Sequence, residues 1–185
     1  SEVIKYAANA FLATKITFIN EMADLCEKVD ANIQDVSRGI GLDGRIGAKF
    51  LHAGPGYGGS CFPKDTLALM KTAQDHEAPL QIVEAVVRVN DLRKRAMARK
   101  VIAAMGGEVE GKRIAMLGLT FKPNTDDMRD APAIVIAQGL IDAGAEVIAY
   151  DPEGMEAATS LMPGVTMASG TYQALDAADG AVIVT

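Results

Sequence analysis

Apolar residues in the first hundred positions recur with the spacing of an α-helix. Between residue 2 and about residue 29 they fall three or four positions apart, which places them on one side of a helix. This stripe consists of Ile4, Ala8, Phe11, Leu12, Ile16, Ile19, Met22, Ala23 and Cys26. Further helices are predicted after Asn32, from Asp65 as an N-cap, and from Pro79 at a first helical position to Gly106. The first part of the chain is therefore predicted to be all α-helical.

The pattern changes after Gly111, where short apolar runs alternate with helical segments. Strands are predicted at residues 113–118, 146–151 and 181–185, with helices at 133–143 and 172–178. Strands that alternate with helices across short loops form a parallel, doubly wound sheet. We expect a multi-domain chain with an all-α domain at residues 1–108 and a truncated Rossmann-like parallel-sheet α/β domain at residues 109–185. The helix from Pro79 would span roughly 40 Å and link the two domains.

The composition narrows the class of partner. The chain has 185 residues, of which 49% are apolar, and it carries a net charge of −6. An acidic chain without a basic patch is not expected to bind nucleic acid or a membrane surface, and no apolar run reaches the length of a membrane span. Cys26 and Cys61 lie far apart in different settings, which suits a reducing cytoplasm. We therefore expect a cytoplasmic protein, and no metal site because no Cys/His cluster has metal spacing.

The stretch from Gly58 to Asp65 contains a cysteine in a glycine-rich loop directly before a predicted helix. The helix dipole and the neighbouring Lys64 both favour a thiolate at Cys61. Isolated cysteines are usually small buried hydrophobes, but they rarely lie among glycines and a Pro-Lys-Asp sequence. We interpret Cys61 as a candidate nucleophile. Cys26 lies on the apolar helical stripe and is interpreted as structural.

The same loop contains an apparent dinucleotide fingerprint. Gly54, Gly56 and Gly59 have G-x-G-x-x-G spacing. The functional fingerprint requires a buried strand before it and a helix that opens at its third glycine, and residues 49–53 do not form such a strand. We reject the match, and expect these glycines to let the backbone approach a ligand.

Several polar residues have two interpretations each. Lys5 and Asn9 are one helical turn apart, so they either donate hydrogen bonds to a developing oxyanion or belong to a solvated face. Asp65 either caps a helix or also orients a water molecule. Lys122 and Arg129 lie near a loop after a strand, where doubly wound sheets bind anions, although solvated surface residues are as common there.

The chain contains five segments whose order and spacing are highly specific: residues 2–16, 18–21, 45–47, 56–65 and 121–129. Together they resemble the UDP-glucose/GDP-mannose dehydrogenase family, and within it the UDP-glucose dehydrogenases of bacterial type. The resemblance covers essentially the whole chain. It implies the NAD-dependent, four-electron oxidation of UDP-glucose to UDP-glucuronate without release of the aldehyde.

The resemblance also implies roles for the residues of the glycine-rich loop and the first helix. Cys61 matches the nucleophile that adds to the C6 aldehyde and forms a thiohemiacetal and then a thioester. Lys5 and Asn9 match the residues that polarise the C6 oxygen. Asp65 matches the carboxylate that organises proton transfer and thioester hydrolysis.

Further matches concern the substrate, the cofactor and a dimer. The implied substrate contacts are Arg45, Phe50, Leu51, Gly58 and Lys122, and the implied cofactor contacts are Lys64 and Arg129. Arg45 would reach the substrate across the interface of a homodimer formed by the helical domain, and Lys122 would bind uridine. His52 stands where some relatives carry lysine, so a phosphate contact at that position is not carried over.

The family's N-terminal NAD-binding domain has no counterpart in this sequence. We therefore expect a piece of a longer enzyme that is inactive alone. One alternative is a dehydrogenase of GDP-mannose or another nucleotide sugar, although the context of Arg45 and Phe50 favours UDP-glucose. A cysteine hydrolase would need His52 or His76 as a base beside Cys61. A third alternative is an isolated module that only dimerises.

Overall fold

The computed structural model describes residues 2–185, which form two compact units. The first unit contains the described residues up to Tyr57 together with Cys61–Arg93, and the second contains Gly58–Ser60 together with Lys94–Thr185. Four helices come first along the chain: α1 (Glu2–Val29), α2 (Ile33–Gly41), α3 (Phe62–Asp75) and α4 (Gln81–Ala104). The prediction of a helical part followed by a parallel α/β sheet is confirmed.

The domain boundary predicted after residue 108 stays a prediction. The two units divide after Arg93, which lies inside α4. A helix that contributes residues to both units does not by itself mark where a functional domain ends.

Helix α1 buries mostly small residues, with Ile19 as a large exception, and exposes several large apolar ones. Its buried residues are Ala10, Ala13, Thr17, Ile19, Asn20, Ala23 and Cys26. The predicted stripe is therefore partly wrong, because Ile4 is 71% exposed and Phe11 is 66% exposed. Small side chains let a neighbouring helix approach closely, so the packed face of α1 is its alanine-rich face. The large residues form a separate exposed row, repeated every seven positions, of Ile4, Phe11, Phe18 and Leu25.

Two predicted helix starts differ from the structure. Asp65 is not an N-cap, because α3 begins at Phe62 and the Asp65 N–H donates to the Cys61 carbonyl at 2.8 Å. Pro63 lies in the first turn, where a missing N–H leaves no hydrogen bond unmade. Pro79 is also outside its helix, since the Leu80 carbonyl accepts the first bond of α4, from the Glu84 N–H at 3.0 Å.

The second unit is built on a four-stranded parallel sheet in the order β3-β2-β1-β4. Its elements after α4 are β1 (Arg113–Leu117), α5 (Pro132–Asp142), β2 (Glu146–Tyr150), α6 (Met155–Leu161), β3 (Thr166–Met167), α7 (Thr171–Leu175) and β4 (Gly180–Ile183). The central strand β1 is covered on both faces, since Ile114 and Ala115, which lie on opposite faces, are both fully buried. Parallel strands place their carboxyl ends at one edge of the sheet, where such folds bind ligands.

Candidate active site

The carboxylate of Asp65 is the centre of a polar cluster in the first unit. The Lys5 ammonium lies 2.9 Å from Asp65 Oδ2, and the Asn9 amide donates to the same oxygen at 2.6 Å. The Asp65 side chain is 2% exposed, whereas that of Lys5 is 62% exposed. Helix α1 therefore brings two donors, one turn apart, to a buried acceptor on the first turn of α3.

The ionisation of this cluster follows from those contacts. The hydrogen bond from Lys5 is the main cause that lowers the pKa of Asp65, and it outweighs burial, which acts in the opposite direction. The bond from Asn9 lowers the pKa of Asp65 further. The same bond to Asp65 raises the pKa of Lys5 above its usual value. At neutral pH the cluster therefore holds an ion pair.

Cys61 is the N-cap residue of α3, and its residue surface is exposed. Its carbonyl accepts from the Asp65 N–H at 2.8 Å, so Cys61 lies one helical turn before the residue that binds Lys5 and Asn9. Cys26 is buried on α1, in agreement with its interpretation as structural. The structure thus brings Cys61, Asp65, Lys5 and Asn9 into one region, while their chemical roles stay predictions.

The loop before Cys61 is held by side chains that the sequence did not single out. The Asn90 amide pairs with both backbone groups of Tyr57, and the Asn20 amide accepts from the Gly54 N–H at 2.8 Å. Arg93 donates to the Gly54 carbonyl at 2.9 Å. The available signal was a mainly polar stretch at residues 90–95 of α4, but periodicity does not distinguish a buried polar group from a solvated one.

Among the predicted substrate residues of the first unit, Arg45 and Phe50 are exposed and Leu51 is buried. Phe50 has φ 64°, a conformation that bulky residues rarely adopt, and its ring meets that of Phe62 at 6.1 Å. The Leu51 side chain is buried, and its carbonyl accepts from Ser37 at 2.6 Å. Arg45 is exposed and paired with Asp43 at 2.6 Å. A ligand contact at residue 51 would therefore involve the backbone more readily than the side chain.

The remaining predicted site residues are Gly58, Lys122 and Arg129 in the second unit and the exposed Lys64 in the first. A side chain on Gly58 would overlap the Asp130 carbonyl group, with its Cβ 2.8 Å from the carbonyl carbon. The exposed Arg129 is paired with Asp127 at 2.7 Å. The Lys122 ammonium lies 5.3 Å from the centre of the Phe121 ring, and its side chain is available for an anion.

A groove of about 490 Å³ lies at the carboxyl ends of β1 and β2. Its lining includes Gly118, Thr120, Asn124, Asp151 and Glu153. The buried Asp151 accepts four backbone N–H groups, from Leu119, Thr120, Glu153 and Gly154. Burial alone would raise the pKa of Asp151, but these donors lower it overall. Its carboxylate therefore fixes the loops on two sides of the groove.

Three further features concern metal ligands, a membrane span and a histidine base for Cys61. Within residues 2–185, His, Cys, Asp and Glu side chains form no cluster of three or more suited to a metal ion. None of the helices described there combines the length and the apolar character of a membrane span. His76 is the C-cap of α3, whereas Cys61 is its N-cap. The helix separates the two backbones by about 20 Å, at 1.5 Å per residue, so His76 is not a base for Cys61.

The fold, a helical unit followed along the chain by a parallel-sheet unit, is similar to the solved structures of nucleotide-sugar dehydrogenases. Residues 1–92 match the central domain, and residues 115–185 the UDP binding domain, of the UDP-glucose/GDP-mannose dehydrogenase family. The chain belongs to this family.

Individual relatives agree with that assignment. The chain is 71% identical, over its full length, to the UDP-glucose 6-dehydrogenase of Rhizobium meliloti, and 49% identical to UDP-glucose 6-dehydrogenase YwqF of Bacillus subtilis. The structure of a UDP-glucose dehydrogenase from Pyrobaculum islandicum superposes with a TM-score of 0.92 at 39% identity, over 99% of this chain. The chain spans 42% of the length of each of these three proteins.

Proposed function

We propose that this chain forms the thiol-bearing and UDP-binding part of an enzyme that oxidises UDP-glucose to UDP-glucuronate with NAD. The observation that supports the proposal most is the ion pair of Lys5 with the buried Asp65, beside Cys61 at the start of α3. The 71% identity to a UDP-glucose 6-dehydrogenase favours UDP-glucose over GDP-mannose as the substrate. We also propose that the enzyme is cytoplasmic.

The residues of this chain suit only part of a dinucleotide. Lys64 in the first unit and Arg129 in the second each have an exposed cationic side chain of a kind that binds phosphate. The glycine fingerprint that opens a dinucleotide fold is not in the sequence, because Gly54, Gly56 and Gly59 follow no strand. When bound, the nicotinamide would accept one hydride in each of two oxidations. We therefore propose that this chain contributes phosphate contacts to NAD, and is inactive by itself.

Cys61 has the covalent role in the proposed reaction. The first oxidation converts the C6 alcohol to an aldehyde. The Cys61 sulfur then forms a bond to C6 and the carbonyl oxygen takes a proton, which gives a thiohemiacetal. Its oxidation gives a thioester, and water releases the carboxylate and restores the thiol. In total, one alcohol, one water and two NAD⁺ give one carboxylate, two NADH and three protons.

Lys5, Asn9 and Asp65 would control charge and protons around the reacting carbon. Lysine has three donor hydrogens and the asparagine amide has two, so both can bind Asp65 and also a developing oxyanion. Asp65 keeps the Lys5 ammonium charged and directed into the cluster. The same carboxylate can orient the water that hydrolyses the thioester.

Substrate and subunit contacts complete the proposal. We propose that the nucleotide binds near Lys122, at the groove at the carboxyl ends of β1 and β2. Substrate contacts from Phe50, Leu51 and Gly58 stay predictions that follow from the family resemblance. The exposed row on α1 supports a homodimer, since an unpartnered apolar face of this length is unusual on a monomer. Arg45 would reach the partner's substrate across that interface.

The test uses the full-length protein that carries this sequence, supplied with UDP-glucose and NAD. Cys61→Ala should abolish UDP-glucuronate formation, whereas Cys26→Ala should retain it, because Cys26 is structural. Product is measured by chromatography, with GDP-mannose as a second substrate. Normal acid formation by Cys61→Ala would contradict the covalent mechanism, and a preference for GDP-mannose would contradict the substrate assignment.

A further inference from the structure

The chain between α2 and α3 reaches Cys61 through a loop without helix or strand over residues 51–60. Such a loop has no ladder of backbone hydrogen bonds to fix its path, so side chains must satisfy its buried peptide groups. Two peptide positions in the first unit are bonded in this way on both their N–H and carbonyl sides. Gly54 is bonded by Asn20 and Arg93, and Tyr57 is bonded by Asn90 alone.

Both polar atoms of the Asn90 side-chain amide bond the backbone of Tyr57. Its Oδ1 accepts from the Tyr57 N–H at 2.8 Å, and its Nδ2 donates to the Tyr57 carbonyl at 3.1 Å. The residue is 4% exposed, so neither bond competes freely with water. A buried side-chain amide that pairs with one peptide group on both sides fixes both the position and the orientation of that peptide.

The Tyr57 side chain is held as firmly as its backbone. Its ring meets the Phe62 ring edge-on at 5.9 Å and packs with Ala13 and Val86. Burial raises the pKa of Tyr57 to about 12, although an interaction with the Thr66 side chain opposes that rise. Tyr57 is therefore a fixed point four residues before Cys61, and Phe62, which it contacts, directly follows Cys61.

We propose that Asn90 is a positioning residue that acts through Tyr57 to hold the Cys61 thiol where it captures the aldehyde before the aldehyde can leave. The inference rests on the proposed function of Cys61. Asn90 contacts neither substrate nor sulfur in this account. Reactions of this kind depend steeply on geometry, and a displacement of about 1 Å can cost about a hundredfold in rate.

Loss of this positioning should change the proportion of free aldehyde to carboxylate among the products, and not only the rate of turnover. The first oxidation needs no thiol, and the second does. If the thiol is displaced, aldehyde accumulates and escapes, and more than two NADH form per carboxylate. A loss of folded protein lowers both products together and leaves this ratio unchanged. The ratio therefore separates positioning from a merely structural role.

The experiment compares Asn90→Ala with wild type in the full-length protein, supplied with UDP-glucose and NAD. The enzyme is removed by filtration before hydroxylamine is added to the filtrate, so that hydroxylamine traps free aldehyde without cleaving a thioester on the enzyme. We expect at least a tenfold increase in trapped aldehyde per carboxylate, and faster hydrogen exchange at the Tyr57 amide. Ile19→Val, which removes one methyl group from the buried face of α1, is the control for lost stability and should still form two NADH per carboxylate. If Asn90→Ala does not fold, Asn90→Asp replaces it, because this variant keeps the side-chain size and the acceptor for the Tyr57 N–H. Its number of NADH per carboxylate should lie between those expected for wild type and for Asn90→Ala.

The outcomes test the positioning role of Asn90 separately from the covalent role of Cys61. If Cys61→Ala blocks carboxylate formation while both Asn90 variants keep two NADH per carboxylate and no trapped aldehyde, Asn90 has no positioning role and the function stands. If Cys61→Ala forms carboxylate normally, the proposed function itself is wrong. A similar increase in trapped aldehyde for Ile19→Val would also overturn the inference, because general destabilisation would then explain it.

Discussion

Replacing Asp65 by Asn tests whether the buried carboxylate stabilises the helical unit as an ion. The substitution keeps the shape of the side chain and removes its charge. Asn9 then donates to a neutral acceptor instead of a charged one, and the new amide hydrogens face existing donors. Hydrogen bonds to charged groups contribute about 1.5–3 kcal/mol, against about 0.5–1.5 kcal/mol for neutral pairs. We expect the free energy of unfolding to fall by about 1–2 kcal/mol near neutral pH.

The loss of the ion pair with Lys5 should not add to this expected fall in the free energy of unfolding. Lys5 is 62% exposed, so its ammonium regains water when the carboxylate is lost. The measurement is urea denaturation followed by far-UV circular dichroism, which reports mainly on the helices. The matched control is Asp75→Asn at the other end of α3, where an exposed pair with Lys71 should contribute less than about 0.5 kcal/mol.

The effect should also depend on pH in a defined direction. The pKa of Asp65 is lowered on folding, so its stabilising contribution is present above the unfolded value of about 4 and is lost as pH falls through the folded value. The gap between wild type and Asp65→Asn should therefore be constant above about pH 5 and shrink from about pH 4 downward. A gap that is absent at neutral pH, or that persists undiminished in acid, would refute the reasoning.

Two further predictions concern packing. Gly58→Ala should destabilise the second unit by about 1–3 kcal/mol in urea, because its Cβ would overlap the Asp130 carbonyl, whereas Gly44→Ala has open space and should be neutral; equal effects would argue against the close approach. Phe11→Glu on the exposed face of α1 should convert a homodimer into a monomer by light scattering, and Leu161→Glu, exposed in the second unit, should not. A wild-type monomer at micromolar concentration would contradict the dimer proposal.

The periodic elements could be predicted from the sequence because their patterns are long. Helix α1 runs over 28 residues, and its predicted bounds agree with the structure. The strands β1 and β2 were also expected, since each is a short apolar run between turn residues. Helix α6 and strand β3 were not predicted, because they have only seven and two residues and carry too little periodicity to be recognised.

The candidate site was accessible to sequence reasoning only where chemistry and spacing coincide. Helical spacing predicts that Lys5 and Asn9 lie on one face, and the glycine-rich context indicates that Cys61 is a nucleophile. That Asp65 accepts from both Lys5 and Asn9 depends on a tertiary contact between α1 and α3, which no local pattern indicates. Asn90 was missed for the same physical reason. Its partner is a peptide group 33 positions away, and nothing in a local pattern indicates such a bond.

The central claim is that Cys61 carries the substrate carbon as a thioester. The full-length protein is mixed with UDP-glucose and NAD, quenched in acid during turnover and digested, and the peptide that contains Cys61 is analysed by mass spectrometry. The account predicts an added acyl mass on Cys61 that appears with substrate, disappears on hydroxylamine treatment and is absent from Cys26. Steady formation of UDP-glucuronate with no adduct on Cys61 at any time would contradict it.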